Sequence, residues 1–397
     1  MRLPRTVIAL GFVSFFTDFS SEMIYPLLPV FLSSVLGVGA LALGIIEGIA
    51  ESTASLLKVF SGIWTDRSGR KKPLIVVGYS LAGLARPLIG LATVWPFVLV
   101  MRFLDRIGKG LRTSPRDALI AGVTDPGQRG TAFGFHRAMD HAGAVIGPLV
   151  AAVLLALEGV SLRHVFLLAA LPAAVVIVVL LTAVQEPPRA FEKESKTLNL
   201  RRHWHELGRD FKFLLLALLV FTLGNSTDAF LLLRLSEAGV PASWIAVLWS
   251  VHSGVKMIST SYGGHLSDRV GRRPLILLGW AFYALIYFAF ALTSSSAGLI
   301  VVFLAYGIYF GFTEPSEKAW VADLVPAQLR GTAFGYYNGI IGLGALPASL
   351  IFGFLWRTWG VTTAFLTGAG FAAAASALLL VSVKTPDPRR SRESLRR

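Results

Sequence analysis

The amino-acid sequence predicts an all-α membrane protein whose twelve transmembrane helices form two pseudo-symmetric six-helix bundles. Three observations support this prediction: the composition, a series of apolar stretches, and two duplicated blocks. Of 397 residues, 54% are hydrophobic and only 15% are charged, and the mean hydropathy is +0.65. Because a soluble domain carries about 25% charged residues, this chain lacks the polar surface of a water-soluble fold.

Two blocks of sequence occur twice, and the copies of each are about 200 residues apart. The first block is a loop signature at 62–74, which returns at 264–276 with its glycines, Asp-Arg pair, basic cluster and proline in matching places. The second is Arg-Gly-Thr-Ala-Phe-Gly at 129–134, repeated at 330–335. The shared offset indicates duplication of a whole half. A membrane protein of two equivalent halves has a natural site between them.

Apolar stretches of about 20 residues, long enough to cross the hydrocarbon core, follow one another along the chain. A stretch rich in Glu, Lys, Arg and Pro separates the first six from the last six. We therefore expect an N-terminal bundle at 1–184, a linker at 185–210, a C-terminal bundle at 211–384 and a basic tail at 385–397. The predicted spans lie near 8–32, 41–63, 73–93, 96–122, 131–156, 164–184, 211–233, 242–266, 274–293, 297–322, 330–356 and 361–383.

The chain has a formal net charge of +14, and its Lys and Arg residues concentrate in the loops on one side of the predicted spans. Because basic loops stay on the inner side of a membrane, we expect a multi-pass protein of the cell inner membrane with both termini cytoplasmic. The charges lie in short loops and not in a soluble domain, which argues against nucleic-acid binding. The absence of cysteine excludes disulfides, thiolate metal sites and cysteine nucleophiles.

Three motifs resemble those of one transporter family. The loop signature after the second span is similar to that of the major facilitator superfamily, and the fourth span, from Arg102 to Gly110, resembles its arginine-containing fourth helix. The fifth span carries Gly143, Gly147 and Pro148 in a Gly-x-x-x-Gly-Pro element, which resembles the packing motif of proton-linked exporters. The resemblance implies alternating access between two six-helix bundles, with proton antiport. The fourth span departs from the family pattern, since Asp105, Arg106 and Lys109 stand where Gln-Gly and small residues are common.

The residue types of the loop signature suggest a physical role. Glycines permit a tight turn and a close approach of helices, the aspartate can cap a helix N-terminus or pair with an arginine, and the cations favour an anionic membrane surface. We interpret the signature as a cytoplasmic latch that holds the two halves together; the alternative is a topological anchor. We expect changes in the first copy to reduce transport more than changes in the second. The latch residues are Gly62, Asp66, Arg67, Gly69, Arg70, Asp268 and Arg269.

Ionisable residues inside the spans are costly unless they are paired or hydrated, so each is a candidate functional group. Most belong to the N-terminal half, where the fourth span carries a charged stripe at helical spacing. The C-terminal half has fewer charges at that depth and offers aromatic residues. The candidate cavity residues are Glu47, Lys58, Arg102, Asp105, Arg106, Lys109, Arg112, His136, Arg137 and Asp140 in the first half, and Asp228, His252, Lys256, Tyr336 and Asn338 in the second.

The carboxylates allow three interpretations. Asp18, Glu22 and Glu51 are candidates for proton coupling, since a carboxylate near the middle of the membrane can bind and release protons as a cavity closes and opens. They can equally be static partners of the fourth-span cations, or they can coordinate a cationic or metal-bearing substrate. Those cations can also clamp the carboxylate or phosphate of an organic anion. His136 and His141 are badly spaced for joint ligation, so neither a metal site nor a cofactor is predicted.

We expect a secondary active transporter that works by alternating access, and we favour proton-coupled antiport (efflux) of an organic solute, with a charged one allowed. Proton-coupled symport of an organic anion or metal chelate stays open, as does a passive channel or receptor on a transporter fold. The chain has no nucleophile elbow, metal-ligand pair or phosphate-binding loop, which argues against an enzyme. The expected partners are a small-molecule substrate, protons and membrane lipid, and we expect a monomer.

Overall fold

The computed structural model describes residues 3–37, 40–186, 206–240 and 242–382. For some helical residues, Glu47 and Glu51 among them, it describes the backbone alone. All regular secondary structure in these ranges is helical, as the composition predicts. The tail at 385–397 and most of the linker at 185–210 lie outside the described residues.

Each predicted span corresponds to a helix, which confirms the predicted fold class, and we number the helices α1 to α12 in chain order. Gly69 and Gly271 have positive φ angles of 61° and 104°, and each follows directly on the last residue of its helix, as glycine commonly does. The first half comprises α1 (Arg5–Glu22), α2 (Ala40–Ser68), α3 (Lys72–Leu88), α4 (Trp95–Val123), α5 (Arg129–Leu155) and α6 in two segments (Leu162–Leu168 and Ala170–Thr182). The second comprises α7 in two segments (Arg209–Gly224 and Ala229–Glu237), α8 (Ala242–Val270), α9 (Arg272–Leu292), α10 (Ser296–Leu324), α11 (Arg330–Trp359) and α12 (Val361–Ser382).

Eight of these helical stretches are long and apolar enough to cross a membrane by length and composition. They correspond to α1, α3, α5, α6, α9, α10, α11 and α12. Helix α4 carries the charged stripe, and α7 is interrupted. Large apolar side chains such as Leu84, Leu171, Leu285 and Leu350 are more than half exposed, as expected for side chains that face lipid.

The first helix of each half is broken at a similar depth, which the sequence analysis does not anticipate. Helix α1 ends at Glu22 and is followed by short irregular turns to Val35, although the span at 8–32 was expected to be continuous. The ring of Pro26 would clash with the carbonyl four residues earlier, and that carbonyl belongs to Glu22. Helix α7 is likewise interrupted after Gly224. Irregular backbone is tolerated at membrane depth only where it faces protein or a cavity.

The two halves pack against each other through two equivalent helix pairs. Helix α2 packs on α11, and α5 packs on α8. Within each half the first helix packs on the fifth, α1 on α5 and α7 on α11. We call the end of the molecule that carries both loop signatures the basic face. The hydrogen bonds and ion pairs described between the halves are concentrated toward this face.

Candidate functional site

A cavity of about 540 Å³ lies between the two halves. Its volume falls in the range of pockets that bind small molecules, about 300–1,000 Å³. The first half lines it mainly with charged side chains, and the second half mainly with aromatic, amide and apolar ones. Tyr25 and Asn225, which lie beside the breaks in the first and seventh helices, both reach the wall.

A buried ion cluster fixes one side of the charged wall. Asp105 is 1% exposed and accepts a hydrogen bond from Arg86 Nε at 2.6 Å and one from Arg102 Nη1 at 3.1 Å. Arg86 also donates to the backbone carbonyl of Thr17 at 3.0 Å, which ties α3 to α1. Because two arginines hold its carboxylate, Asp105 matches the static interpretation of the carboxylates.

Asp18 and Glu22 line the same cavity in a different environment. Both are partly exposed on α1, and no hydrogen bond or ion pair joins either carboxylate to another described residue. Their spacing of four residues places them on one helical face. The static ion pairs with the fourth helix, one of the three interpretations, are therefore not formed by these two acids among the described residues. The side chain of Glu51 lies outside the described residues.

The Gly-x-x-x-Gly-Pro element of α5 packs against the part of α1 that carries these acids. A Cβ atom on Gly143 would lie 2.8 Å from the backbone nitrogen of Phe19 and 3.1 Å from Cβ of Asp18. A Cβ atom on Gly147 would lie 2.9 Å from Cβ of Glu22. Because no side chain fits between the two helices, the glycines set the distance of the acid-bearing face from α5. Pro148 follows inside the same helix.

Arg112 of α4 is a buried cation without a carboxylate partner. It lines the cavity and is 5% exposed. Its guanidinium lies 4.2 Å from the ring centroid of Tyr79. Its Nε and Nη1 atoms are buried and have no hydrogen-bond partner among the described residues.

A second ion network bridges the halves along the cavity wall. Asp140 of α5 accepts hydrogen bonds from Ser14 Oγ and, at 2.9 Å, from Arg137 Nη1. Nε of Arg137 lies 3.5 Å from a carboxylate oxygen of Glu314 on α10, and the ring of His141 lies 3.3 Å from the same oxygen. Arg137 thus connects an acid of each half.

Asp117 and Lys318 form a buried ion pair across the interface between the halves. The Lys318 Nζ and Asp117 Oδ2 atoms are 2.7 Å apart, and both side chains are at most 1% exposed. Arg116 Nη2 holds the other oxygen of Asp117 at 3.0 Å. Arg116 also lines the cavity, so this pair lies just behind the cavity wall.

The two loop signatures make equivalent contacts at the basic face. Asp66 accepts hydrogen bonds from the backbone nitrogens of Gly331 and Thr332 at 2.9 and 2.6 Å. Asp268 accepts them from Gly130 and Thr131 at 2.9 and 2.7 Å. Each carboxylate therefore caps the first turn of a helix in the other half, where the helix dipole favours an anion.

Further contacts distinguish the second signature from the first. Asp268 also accepts a hydrogen bond from Thr131 Oγ1 at 2.6 Å and pairs with Arg272 at 2.5 Å. Among the other latch candidates, Gly62 packs against the backbone of Gly331. The side chains of Arg67, Arg70 and Arg269 are exposed.

The structure separates the sequence-predicted cavity residues into two groups. Five candidates do not line this cavity: His136, Asp228, His252, Lys256 and Tyr336. The side chain of Glu47 lies outside the described residues. The candidates on the wall are Lys58, Arg102, Asp105, Arg106, Lys109, Arg112, Arg137, Asp140 and Asn338.

Packing explains why the second-half charges and the histidines lie off the wall. His252 is fully buried, with ring centroids 4.5 Å from Phe303 and 5.6 Å from Tyr306. Asp228 follows the break in α7 and is held by Lys256 at 3.3 Å and by Tyr306 Oη at 3.2 Å. Asp228 follows a threonine, as Asp18 does, but the two acids differ in position and in pairing. His136 is also fully buried, with Nδ1 3.7 Å from Asp140.

Sequence reasoning missed Arg86 on the wall. It was detectable, because it is an arginine inside the otherwise apolar third span. Glu317 and Tyr337, an acid and an aromatic residue of the second half, also line the cavity and are joined by a hydrogen bond of 2.9 Å from Tyr337 Oη. Within the described ranges, no group of three or more His, Cys, Asp or Glu side chains could hold a metal ion.

Comparisons with known proteins agree with this architecture. The family model described as Major Facilitator Superfamily matches residues 10–316 and 235–397. The Uncharacterized MFS-type transporter MJ1317 of Methanocaldococcus jannaschii is 32% identical over 387 residues, 95% of each chain. The Multidrug resistance protein MdtG of Escherichia coli is 25% identical over 92% of this chain and 91% of its own.

Solved structures show the same fold at low identity. The human organic anion transporter MFSD10 matches with a TM-score of 0.78 and 15% identity, covering 94% of this chain and 99% of its own. A variant of the Escherichia coli fucose:proton symporter FucP matches with a TM-score of 0.77 and 15% identity, covering 96% and 98%. At these identities the likeness concerns the fold alone.

Proposed function

The chain belongs to the major facilitator superfamily of transporters, and from that premise we propose that it is a proton-coupled secondary active transporter of a small organic solute. Membership in this family makes it a multi-pass membrane protein and not an enzyme. The proposal concerns the coupling ion, the solute and the direction of transport.

The observation that carries the proposal is a pair of carboxylates, Asp18 and Glu22, that line the cavity between the two halves and form no hydrogen bond or ion pair with another described residue. A carboxylate without a cation can exchange protons with water while the cavity is open and keep a proton when the cavity closes. Glu51 remains a third candidate by its position on α2. We assign Asp105 a different role, since two arginines hold it.

We also propose an orientation for the molecule. We assign the basic face to the cytoplasmic side of the inner membrane. The linker at 185–210, the tail at 385–397 and both termini then lie on that side, and the bundles at 1–184 and 211–384 span the membrane. The latch contacts then close the cavity toward the cytoplasm. A tag in the linker should react with an impermeant reagent only in inside-out vesicles, and labelling from outside intact cells would refute this orientation.

Two directions of transport are candidates. Antiport (efflux) is supported by the Gly143–Pro148 element, which resembles that of exporters, and by the likeness to a protein named for multidrug resistance. Symport of an organic anion is supported by the charge of the wall, which carries eight basic and six acidic side chains among the described residues. The sign of the linkage between protons and solute distinguishes them. Protonation weakens solute binding in antiport and strengthens it in symport.

Reconstitution into liposomes tests the coupling. We expect at least one of the variants Asp18→Asn, Glu22→Gln and Glu51→Gln to lose transport driven by a pH gradient. That variant should keep solute exchange and the wild-type melting temperature. No described ion pair is broken at Asp18 or Glu22, so the fold should be unaffected by those two changes.

Asp105→Asn is the matched control, because it removes an acid that is fully paired. It should lower the melting temperature and solute binding together, since Arg86 and Arg102 would be left as buried cations. If all three carboxylate variants keep gradient-driven transport, the coupling site is elsewhere. If wild-type protein never accumulates solute against its gradient, a passive channel or receptor replaces the transporter proposal.

A further inference from the structure

Arg112 differs from neighbouring cations of the first half in forming no ion pair with an acid among the described residues. Arg86 and Arg102 hold Asp105, and Arg137 holds Asp140. No hydrogen bond or ion pair joins Arg112 to another described residue, and its guanidinium carbon lies 4.2 Å from the ring centroid of Tyr79. The cation is nevertheless 95% buried and lines the cavity.

A buried cation without a counterion is costly in a membrane protein, and it is retained where a ligand supplies the missing charge. The rigid planar fork of arginine suits a carboxylate or a phosphate, because two parallel hydrogen bonds can form. The ring of Tyr79 lies 4.2 Å from the guanidinium carbon and favours its charge, while Nε and Nη1 have no acceptor among the described residues. Arg112 is therefore prepared for one particular chemical group.

The opposite wall of the cavity has a complementary character. Phe221, Tyr309, Phe310 and Ile341 of the second half line it. Phe221 and Tyr309 stack on each other with ring centroids 5.8 Å apart. These four side chains can bind an apolar or aromatic body, and the acids of the same wall, Glu314 and Glu317, lie beside them.

We infer that the cavity binds an amphipathic organic anion, whose carboxylate or phosphate is held by Arg112 and whose apolar body lies on the aromatic wall of the second half. The inference rests on the proposed function, since it names the class of solute that the transporter carries. It makes Arg112 the residue that determines specificity for charge.

Asp18 and Glu22 line this cavity together with the acids Asp105, Asp140, Glu314 and Glu317 and with eight basic side chains. Because no described ion pair holds Asp18 or Glu22, their position links the anion to protons. Each proton that binds there removes a negative charge from the space that the anion shares. Anion binding should therefore strengthen as the pH falls, and by reciprocity a bound anion should favour proton uptake. This sign of linkage favours the symport candidate.

The experiment measures binding of four naphthalene probes to the purified full-length protein by calorimetry at pH 5.5 and pH 8. The probes are 2-naphthoate, 2-naphthyl phosphate, the neutral 2-naphthamide and the cationic 2-naphthylmethylamine. We expect one or both anions to bind more tightly than the amide by at least about tenfold, the value of a charge-assisted hydrogen bond. The preference between the two anions tells a carboxylate substrate from a phosphate substrate.

Arg112→Gln should abolish this preference of the protein for the anion over the amide. Its melting temperature without ligand should stay near the wild-type value, because no described partner loses its counterion. Lys256→Gln is the matched control, since Lys256 is also buried beside an aromatic ring, 3.9 Å from Phe310, but lies off the wall and pairs with Asp228. That variant should bind the anion normally and melt earlier.

Four results would overturn the inference: equal binding of amide and anion, binding of the amine alone, no binding of either anion at millimolar concentration, or an intact anion preference in Arg112→Gln. A structural role for Arg112 would show as a lower melting temperature with the preference unchanged. Failure of the proposed function looks different. If the amine drives proton movement in liposomes, coupled transport stands and only the anion assignment is wrong.

Discussion

At the basic face, the first half and the second half present almost the same structure to each other. Asp66 caps the first turn of α11 and Asp268 caps the first turn of α5, through the same two backbone nitrogens of a repeated Arg-Gly-Thr block. At the cavity the halves differ: the first half supplies all eight basic side chains of the wall, and the second half supplies mainly aromatic, amide and apolar side chains with the two acids Glu314 and Glu317. The contacts that close the two halves together were kept after duplication, and the contacts available to a solute were not.

Two neighbouring positions of each half carry opposite charges in the two copies, and the symmetry of the fold explains why. Arg116 and Asp117 lie 13 and 12 residues before the first Arg-Gly-Thr block, and Glu317 and Lys318 lie 13 and 12 residues before the second. The charges are inverted between the copies, and Asp117 and Lys318 meet each other at 2.7 Å. Residues that meet on a pseudo-two-fold axis would repel if they were identical ions. The inversion turns that repulsion into a buried ion pair.

The largest effect is expected at this axis. Asp117→Asn should destabilise the protein by about 3–5 kcal/mol, because it leaves both Lys318 and Arg116 without a counterion in a buried place. The melting temperature in detergent, with and without added lipid, measures this loss. The halves should also separate more readily at the basic face, which a cross-link between α2 and α11 would report as lower yield.

The double variant Asp117→Asn with Lys318→Met sharpens this test. It removes both buried ions of the pair, so its destabilisation should be clearly smaller than the sum of the two single changes. Simple addition of the two effects would mean that the charges act independently, and the proposed role of the axis would be wrong.

The next largest effect compares the two latches. Sequence analysis expects Asp66 to matter more, but the contacts argue the reverse, because Asp268 has two additional partners. We expect Asp268→Asn to cost about 2–3 kcal/mol and Asp66→Asn about 1–2 kcal/mol, on the scale of hydrogen bonds to charged groups. Transport rates and melting temperatures of both variants at equal expression measure the difference.

The variant Arg272→Gln tests whether the ion pair of Asp268 causes this difference between the two latches. It removes the ion pair of Asp268 and keeps the backbone cap, so it should bring the second latch near the strength of the first. A larger loss in Asp66→Asn than in Asp268→Asn would restore the expectation from sequence.

A smaller effect is expected where α5 packs on α1. Gly143→Ala should cost about 1–2 kcal/mol by overpacking, because the new methyl group would meet the backbone of Phe15 and Phe19, which cannot move alone. Gly344 is the equivalent residue of the second half, and a methyl group there would lie 2.9 Å from the Cγ2 atom of Thr222. Since a side chain can yield, Gly344→Ala should cost less. Equal losses in melting temperature would contradict this reading of the two interfaces.

The sequence was sufficient for the features that depend on pattern. Apolar length predicts the twelve helices, the repeated blocks predict two equivalent halves, and the spacing of Asp18 and Glu22 predicts their shared face. The stripe of α4 was predicted to face a cavity, and Arg102, Asp105 and Arg112 do line it. These properties follow from helical periodicity, which a single sequence contains.

Other features depend on which helices meet, and a single sequence does not contain that information. Nothing in the pattern says that Arg86 of α3 reaches Asp105, which changes this acid from a candidate carrier into a fixed partner. The break after Gly224 moved Asp228 off the wall, since a residue beyond an interruption loses the helical register. His252 was a candidate by residue type alone, and ring packing explains its burial better.

The smallest effect distinguishes the buried histidines of the two halves. His252 has no hydrogen-bond partner for either ring nitrogen among the described residues, and its ring stacks on Phe303 and Tyr306. His252→Phe should therefore change the stability by less than about 1 kcal/mol, because one flat ring replaces another and no polar partner is abandoned. His136→Phe should cost more, since the ring of His136 lies beside the network of Asp140. Melting temperatures and the pH dependence of transport measure both variants. A shifted pH profile in His252→Phe would make this histidine a titrating group of the second half, and coupling would then no longer belong to the first half alone.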